Sequence, residues 1–177
     1  MSAAGPQRAS RGRTDWQTPP DLFGLLHEEF QFTLDGAASG PNLLPRFYSL
    51  DGTDAFDARP KRERIFLNPP YGRHLVRWAV LVSQSWKYAS NTVVVLVPAA
   101  TETRWSRTLW EEASEVRFLS PRVRFIDPET GKPGGSNTTG SALFVLRPPA
   151  RHLRDGQSHV DYGARSPRVS IWEWTDE

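Results

Sequence analysis

Apolar residues along this chain follow two rhythms, and the switches between them mark the elements. Thr92-Val-Val-Val-Leu-Val-Pro98 is a continuous β-branched run, which predicts a central strand covered on both faces. Ile65-Phe66-Leu67, Glu115–Leu119 and Ala142–Leu146 predict further strands, and Phe47–Leu50 is a shorter candidate that ends at Asp51. Elsewhere the period is helical. Leu22, Leu25, Leu26 and Phe30 lie on one face behind Pro20, suited to a first helical turn, and Asp21, suited to the positive end of the helix dipole. Leu75, Trp78, Ala79, Val82 and Trp86 predict a helix within His74–Ala89, and Trp105 and Leu109 another within Glu102–Ala113. Strands alternating with helices predict an α/β domain with a mostly parallel sheet.

Beyond Leu119 the character changes. Pro121–Phe125, a Gly-, Asn- and Thr-rich stretch from Asp127 to Ser141, and the strand Ala142–Leu146 together predict an antiparallel hairpin with an extended tip. Pro148–Ser166 reads as polar and irregular, whereas Arg168–Trp174 alternates enough for a last edge strand whose Trp172 and Trp174 cover an apolar edge. The organisation expected is a disordered basic arm over 1–13 carrying Arg8, Arg11 and Arg13, one domain over 14–147, and a C-terminal extension over 148–177.

Composition sets limits on function. The chain of 177 residues is long enough for one sizeable core and too short for a second catalytic domain. A formal net charge of +2 places any case for nucleic acid on where the arginines lie, not on the total. Without cysteine there are no disulfides or thiolate metal sites, and His27, His74, His152 and His159 lack ligand spacing, so no metal is expected. No apolar leader or membrane-length segment is visible, which reads as a cytoplasmic protein with a monomer as the default state.

The chemistry concentrates at the end of one strand, in Asn68-Pro69-Pro70-Tyr71-Gly72. A side-chain amide oxygen on Asn68 and the Pro69 carbonyl are two acceptors, proline having kept its acceptor and lost its donor. Together they suit both hydrogens of a planar amino group such as N6 of adenine. Holding both draws the nitrogen toward tetrahedral geometry and frees its ring-delocalised lone pair, which is electrostatic preorganisation and not base catalysis. Pro70 stiffens the turn, and Tyr71 supplies a ring on which a flipped base can stack.

This run resembles motif IV of the amino methyltransferases that use S-adenosylmethionine. Upstream, Asp15-Trp16-Gln17-Thr18-Pro19-Pro20-Asp21-Leu22-Phe23 resembles motif X of the adenine methyltransferases, and Phe32–Ser39 resembles motif I, where a first strand ends in an acid and small residues. Gly36-Ala37-Ala38-Ser39-Gly40 departs there from the usual G-x-G. With Asn42, Leu96–Trp105 and Phe118–Phe125, the set is similar to the phage-type, Dam-like DNA N6-adenine methyltransferases over roughly Asp15 to Leu146.

The resemblance implies a single Rossmann-like domain with S-adenosylmethionine as cofactor and double-stranded DNA with a flipped adenine as substrate. It implies Asn68, Pro69, Pro70 and Tyr71 as the catalytic device. Trp16, Thr18, Pro19, Asp35, Ala37, Ala38 and Asn68 would hold the cofactor, with Asp51 or Asp54 on its nucleoside part and Phe56 beside the adenine ring. Arg122, Arg124 and Lys132 would contact DNA, together with Arg117, and Phe125 is either a second wall for the flipped base or core. A phage role, protection of the genome against host restriction, is also implied. Other readings of the tetrapeptide are methylation of RNA or of a protein glutamine, and a nucleic-acid-binding module without catalysis.

Overall fold

The computed structural model describes residues 15–38, 44–49, 51–52, 54–134, 139–154, 157–161 and 166–174. The basic arm 1–13, Ser39, Gly40, Asn42 and Leu50 lie outside them. Among the described residues seven strands form one sheet in the order β2-β1-β3-β4-β6-β5-β9. They are β1 (Leu34–Ala38), β2 (Phe47–Ser49), β3 (Arg64–Leu67), β4 (Thr92–Pro98), β5 (Glu115–Ser120), β6 (Ser141–Leu146) and β9 (Arg168–Glu173). The strands β2, β1, β3 and β4 run parallel, β6 is antiparallel to both β4 and β5, and β9 adds in parallel to β5. This is a Rossmann-like α/β architecture, mostly parallel, as the element order predicts.

Alternation along the central strands fixes the layers. Val93, Val95 and Val97 face one cluster with Ile65 and Leu67, whereas Val94 and Leu96 face another with Phe66. Helices α2 (Leu75–Leu81) and α3 (Arg104–Glu112) cover the first face through Trp78, Trp105 and Leu109. Helix α1 (Pro20–Phe30) covers the second through Leu22, Phe23, Leu26 and Phe30, alongside Val123, Phe125 and Trp174. A strand apolar on both sides has no solvent face, which is why β4 reads as an unbroken hydrophobic run.

Local chemistry sets the ends. Pro20 occupies the start of α1, and at its other end Gln31 takes a left-handed conformation while its side-chain Nε2 donates to the carbonyls of His27 and Glu28. After α2 the chain continues as a wider turn over Val82–Trp86 and a tighter one over Lys87–Ala89, so the predicted single helix is three segments. The buried Asn91 ends this run. Its Nδ2 donates to the Pro60 and Trp86 carbonyls at 2.8 and 2.9 Å, and its Oδ1 accepts from Glu63 N at 2.8 Å.

Three expectations need correction. The antiparallel partner of β6 is β5, not Pro121–Phe125; the latter segment is extended but turns its Val123 and Phe125 into the α1 face instead of joining the ladder. Two strands, β7 (Ala150–Arg154) and β8 (Gln157–Asp161), pair antiparallel within the stretch expected to be irregular. Arg117 does not face solvent as a phosphate contact. It donates from both terminal nitrogens to Glu29 at 2.6 Å each and from Nε to Glu115 at 2.7 Å, and it is only 8% exposed.

That bidentate pair ties α1 to β5 and, through Glu115 and Arg168, to β9. Replacing Arg117 by leucine leaves Glu115 buried with weaker partners, while the half-exposed Glu29 re-solvates. The expected loss is about 2 kcal/mol, seen as a lower urea midpoint at unchanged slope.

Candidate active site

Because β1, β3 and β4 are parallel, their carboxyl ends lie at one edge of the sheet, the edge where open α/β sheets carry their sites. Asn68 follows β3 directly and is 9% exposed. Its Nδ2 donates to the Trp16 carbonyl at 3.0 Å and to Thr18 Oγ1 at 3.1 Å. A carbonyl can only accept, so the amino half of the amide must face Trp16 and the oxygen must face away. Among the described residues nothing donates to Asn68 Oδ1 or to the Pro69 carbonyl. Two neighbouring acceptors are thereby held without partners at the strand end.

Tyr71 packs against both apolar clusters and remains partly accessible. Its hydroxyl is buried without a hydrogen-bond partner, and burial drives its pKa upward. Phe125 meets the ring edge-on, centroids 5.9 Å apart and planes at 89°. At 5% exposure Phe125 lies in the core behind Tyr71.

Asp35 lies in β1, 4% exposed, and its Oδ1 accepts from Ala37 N at 3.1 Å. Burial raises its pKa from 3.8 to about 6, against the opposing pull of that N–H. No described cation pairs with it. Its neighbour Gly36 points the other way: a Cβ there would stand 3.0 Å from Leu67 and 3.1 Å from Ile65 and Trp86. Gly36 thus serves packing beneath Trp86, and the small residues nearer the strand end are Ala37, buried, and Ala38, half-buried.

A family model described as DNA N-6-adenine-methyltransferase (Dam) matches residues 7–165. The chain belongs to this family. A DNA N-6-adenine-methyltransferase of Escherichia phage T1 is 28% identical over 159 residues, covering 80% of this chain and 64% of the relative's length.

Around the centre of this Dam-family chain, the acids after β2 differ from one another. Asp54 Oδ1 accepts from Ser49 N at 2.8 Å and so closes the turn after the strand, whereas Asp51 is exposed. Gly52 between them has φ +78°, and a Cβ would meet the Phe56 ring at 2.3 Å. Phe56 lies under the Arg77 guanidinium, 3.8 Å from its centroid, and against Trp78 at 4.8 Å. Arg122, Arg124 and Lys132 are all exposed, alternating in the first two cases with inward Val123 and Phe125.

Residues 15–19 reach further than the sequence discloses. Gln17 exchanges both backbone hydrogen bonds with Ile126, at 3.0 and 2.9 Å, and the Trp16 ring lies against Gly134. Neither Ile126 nor Gly134 stands out by period or motif; Gly134-Gly135 marks only a loop. Among the described residues, no helix is long and apolar enough to cross a membrane, and no group of three or more His, Asp or Glu side chains converges.

Two outcomes follow from the buried polar groups. Tyr71→Phe deletes a hydroxyl that is buried unpaired while keeping the ring, so thermal unfolding should show a variant at least as stable as the wild type, by up to about 1 kcal/mol. Asp35 gives a pH signature. Between pH 3.8 and about 6 the folded chain holds this proton more tightly than the unfolded chain, so its stabilisation is full below the lower value and lost as pH rises through the upper one. The span is about 3 kcal/mol at most. Urea unfolding of wild type and Asp35→Asn across this range should differ by that slope, absent from the variant.

Proposed function

We propose that the chain transfers the methyl group of S-adenosylmethionine to N6 of adenine in double-stranded DNA. The observation that carries this reading is the fixed aim of the Asn68 amide, whose hydrogens are spent on Trp16 and Thr18 while its oxygen and the Pro69 carbonyl accept nothing. Two open acceptors side by side match the two hydrogens of an exocyclic amino group. They would draw N6 toward tetrahedral geometry and favour the transition state more than the ground state. The proton lost from the methylated nitrogen is strongly acidic and passes to solvent, so no general base is required of the chain. Tyr71 would carry the flipped adenine on its ring, with Phe125 backing it from the core.

The residues present fit the cofactor. A buried carboxylate with no cation beside it, Asp35, suits the ammonium of the amino-acid part, and the Trp16–Pro19 turn and Ala37–Ala38 line the same strand ends. Asp51 and Asp54, the two acids after β2, would hold the ribose hydroxyls, with Asp54 also accepting from Ser49 N through Oδ1. Phe56 has one face under Arg77 and would offer its remaining edge to the adenine ring. Bound there, S-adenosylmethionine supplies a sulfonium methyl carbon as the electrophile. Arg122, Arg124 and Lys132 would contact phosphates, setting orientation on the duplex without reading its sequence. In a phage genome such methylation would block host restriction endonucleases.

The deciding assay offers labelled S-adenosylmethionine with duplex DNA, RNA or protein. Label is expected in N6-methyladenine of duplex DNA; label in RNA or in glutamine would overturn the substrate assignment, and failure of calorimetric titration with the cofactor would overturn catalysis altogether. Asn68→Ala is expected to lower turnover by about 10³-fold or more while the circular dichroism spectrum is retained. Near wild-type methylation by that variant would remove Asn68 from its role.

A further inference from the structure

The amide that faces the amino group is held by a segment that is itself held by a loop. Gln17 and Ile126 form a reciprocal backbone pair, and Ile126 also bridges to Pro133. The loop closes on itself, with Gly134 N donating to Phe125 O at 2.7 Å, Asp127 N to Lys132 O at 2.9 Å, and Gly131 N to Asp127 O at 2.8 Å. Against this frame lies the Trp16 indole. A Cβ on Gly134 would sit 2.5 Å from Trp16 Cζ3 and 2.8 Å from Cη2. Unlike Gly131 at φ +65°, Gly134 has no positive φ, so its backbone is not what demands glycine; the tryptophan ring is the closest obstacle to a side chain, with the Phe125 carbonyl oxygen next at 3.3 Å.

We infer that Trp16 is a positioning residue, and that its ring on Gly134 sets the aim of Asn68. The Trp16 carbonyl takes one of the two amide hydrogens, so a shift of its backbone turns the Asn68 oxygen with it. The loop base thus touches both halves of the device: Phe125 backs Tyr71, while Ile126 and Gly134 seat the turn that orients Asn68. Lys132 and Arg124, exposed on the same segment, place the duplex-facing cations on the frame that fixes the amide. Seating of the loop on a polyanion and alignment of the amide are then one mechanical event. This rests on the proposed adenine chemistry.

Gly134→Ala tests it. A methyl group would push the ring aside, and misalignment on the order of an ångström costs up to about 10²-fold in rate. The expected result is a kcat about tenfold lower or less than that again, with KM for cofactor and duplex within about twofold. Trp16→Phe added to Gly134→Ala makes room and should restore most of the loss, which general destabilisation would not. A second readout needs no activity: the side-chain NH2 resonances of Asn68, assigned by their loss in Asn68→Ala, should shift in the Gly134→Ala protein and return in the double variant. If the resonances move as expected but the wild type methylates no adenine, the positioning stands and the proposed function falls. Unmoved resonances with wild-type kcat overturn the positioning, as does a loss that the double variant leaves unrescued. Should Gly134→Ala not fold, Trp16→Phe alone decides, with shifted Asn68 resonances expected and wild-type ones overturning the inference.

Discussion

A primary amide is rigid: fixing where its nitrogen points also fixes where its oxygen points. The rest of the site depends on that constraint at Asn68, where both amide hydrogens are engaged by a segment about fifty positions earlier in the chain. The strand β3 supplies the position, but only Trp16 and Thr18 supply the direction. A side chain at a strand end that lacked them would sample rotamers, and each of those orientations would be entropy to lose on engaging a ligand. The N-terminal turn therefore sets the aim of the amide; the Gln17–Ile126 pair holds it from one side, and α1, which follows it, is pinned to β5 by Glu29 on Arg117.

Polar groups in this molecule divide into those that are satisfied and those that are not, the latter including His27 Nδ1 on α1, Trp86 Nε1 beneath Gly36 and the Tyr71 hydroxyl at the candidate site. Away from it, Asn91 is fully buried and its oxygen and nitrogen are both bonded, and Arg117 finds carboxylates on two elements. At the strand ends, Asp35 lacks a cation, Tyr71 lacks a hydroxyl partner, and Asn68 keeps an idle acceptor. Each such group costs stability in the free protein. The open groups of Asp35, Tyr71 and Asn68 suit charged and hydrogen-bonding ligands, and the Arg117 and Asn91 networks offset their cost elsewhere.

Much of this was legible in residue order because the governing forces are local or periodic. The runs at β3, β4 and β6 reflect burial on two faces, and Pro20 with Asp21 marks the start of α1. The tetrapeptide was legible because proline's lost donor and asparagine's paired functions are properties of single residues. What stayed hidden is pairing between distant segments. Nothing in Pro121–Phe125 shows that Val123 and Phe125 go to the α1 face and not into a ladder, since alternation serves both. The arginines were equally ambiguous: Arg117 lies two residues from Glu115 within a strand, on the same face, and only the fold brings Glu29 to it. β7 and β8 flank Asp155-Gly156, a dipeptide that favours hairpins, but the polar composition of 148–166 points to an irregular stretch and masks that local signal.

Glycine illustrates the limit most sharply. Gly36 and Gly134 have no positive φ, and what a side chain would meet marks them instead: a tight fit against Trp86, Leu67 and Ile65 in one case, an outright clash with Trp16 in the other. In sequence the first looks like part of a cofactor loop and the second like loop filler. Their roles are set by tryptophans 50 positions away from Gly36 and 118 away from Gly134. Spatial need for a missing Cβ leaves no local mark, unlike a positive φ, which turn propensities can disclose. The alanines beside Gly36 follow the same logic: neither Ala37 nor Ala38 has a positive φ, so the backbone there makes no demand for glycine.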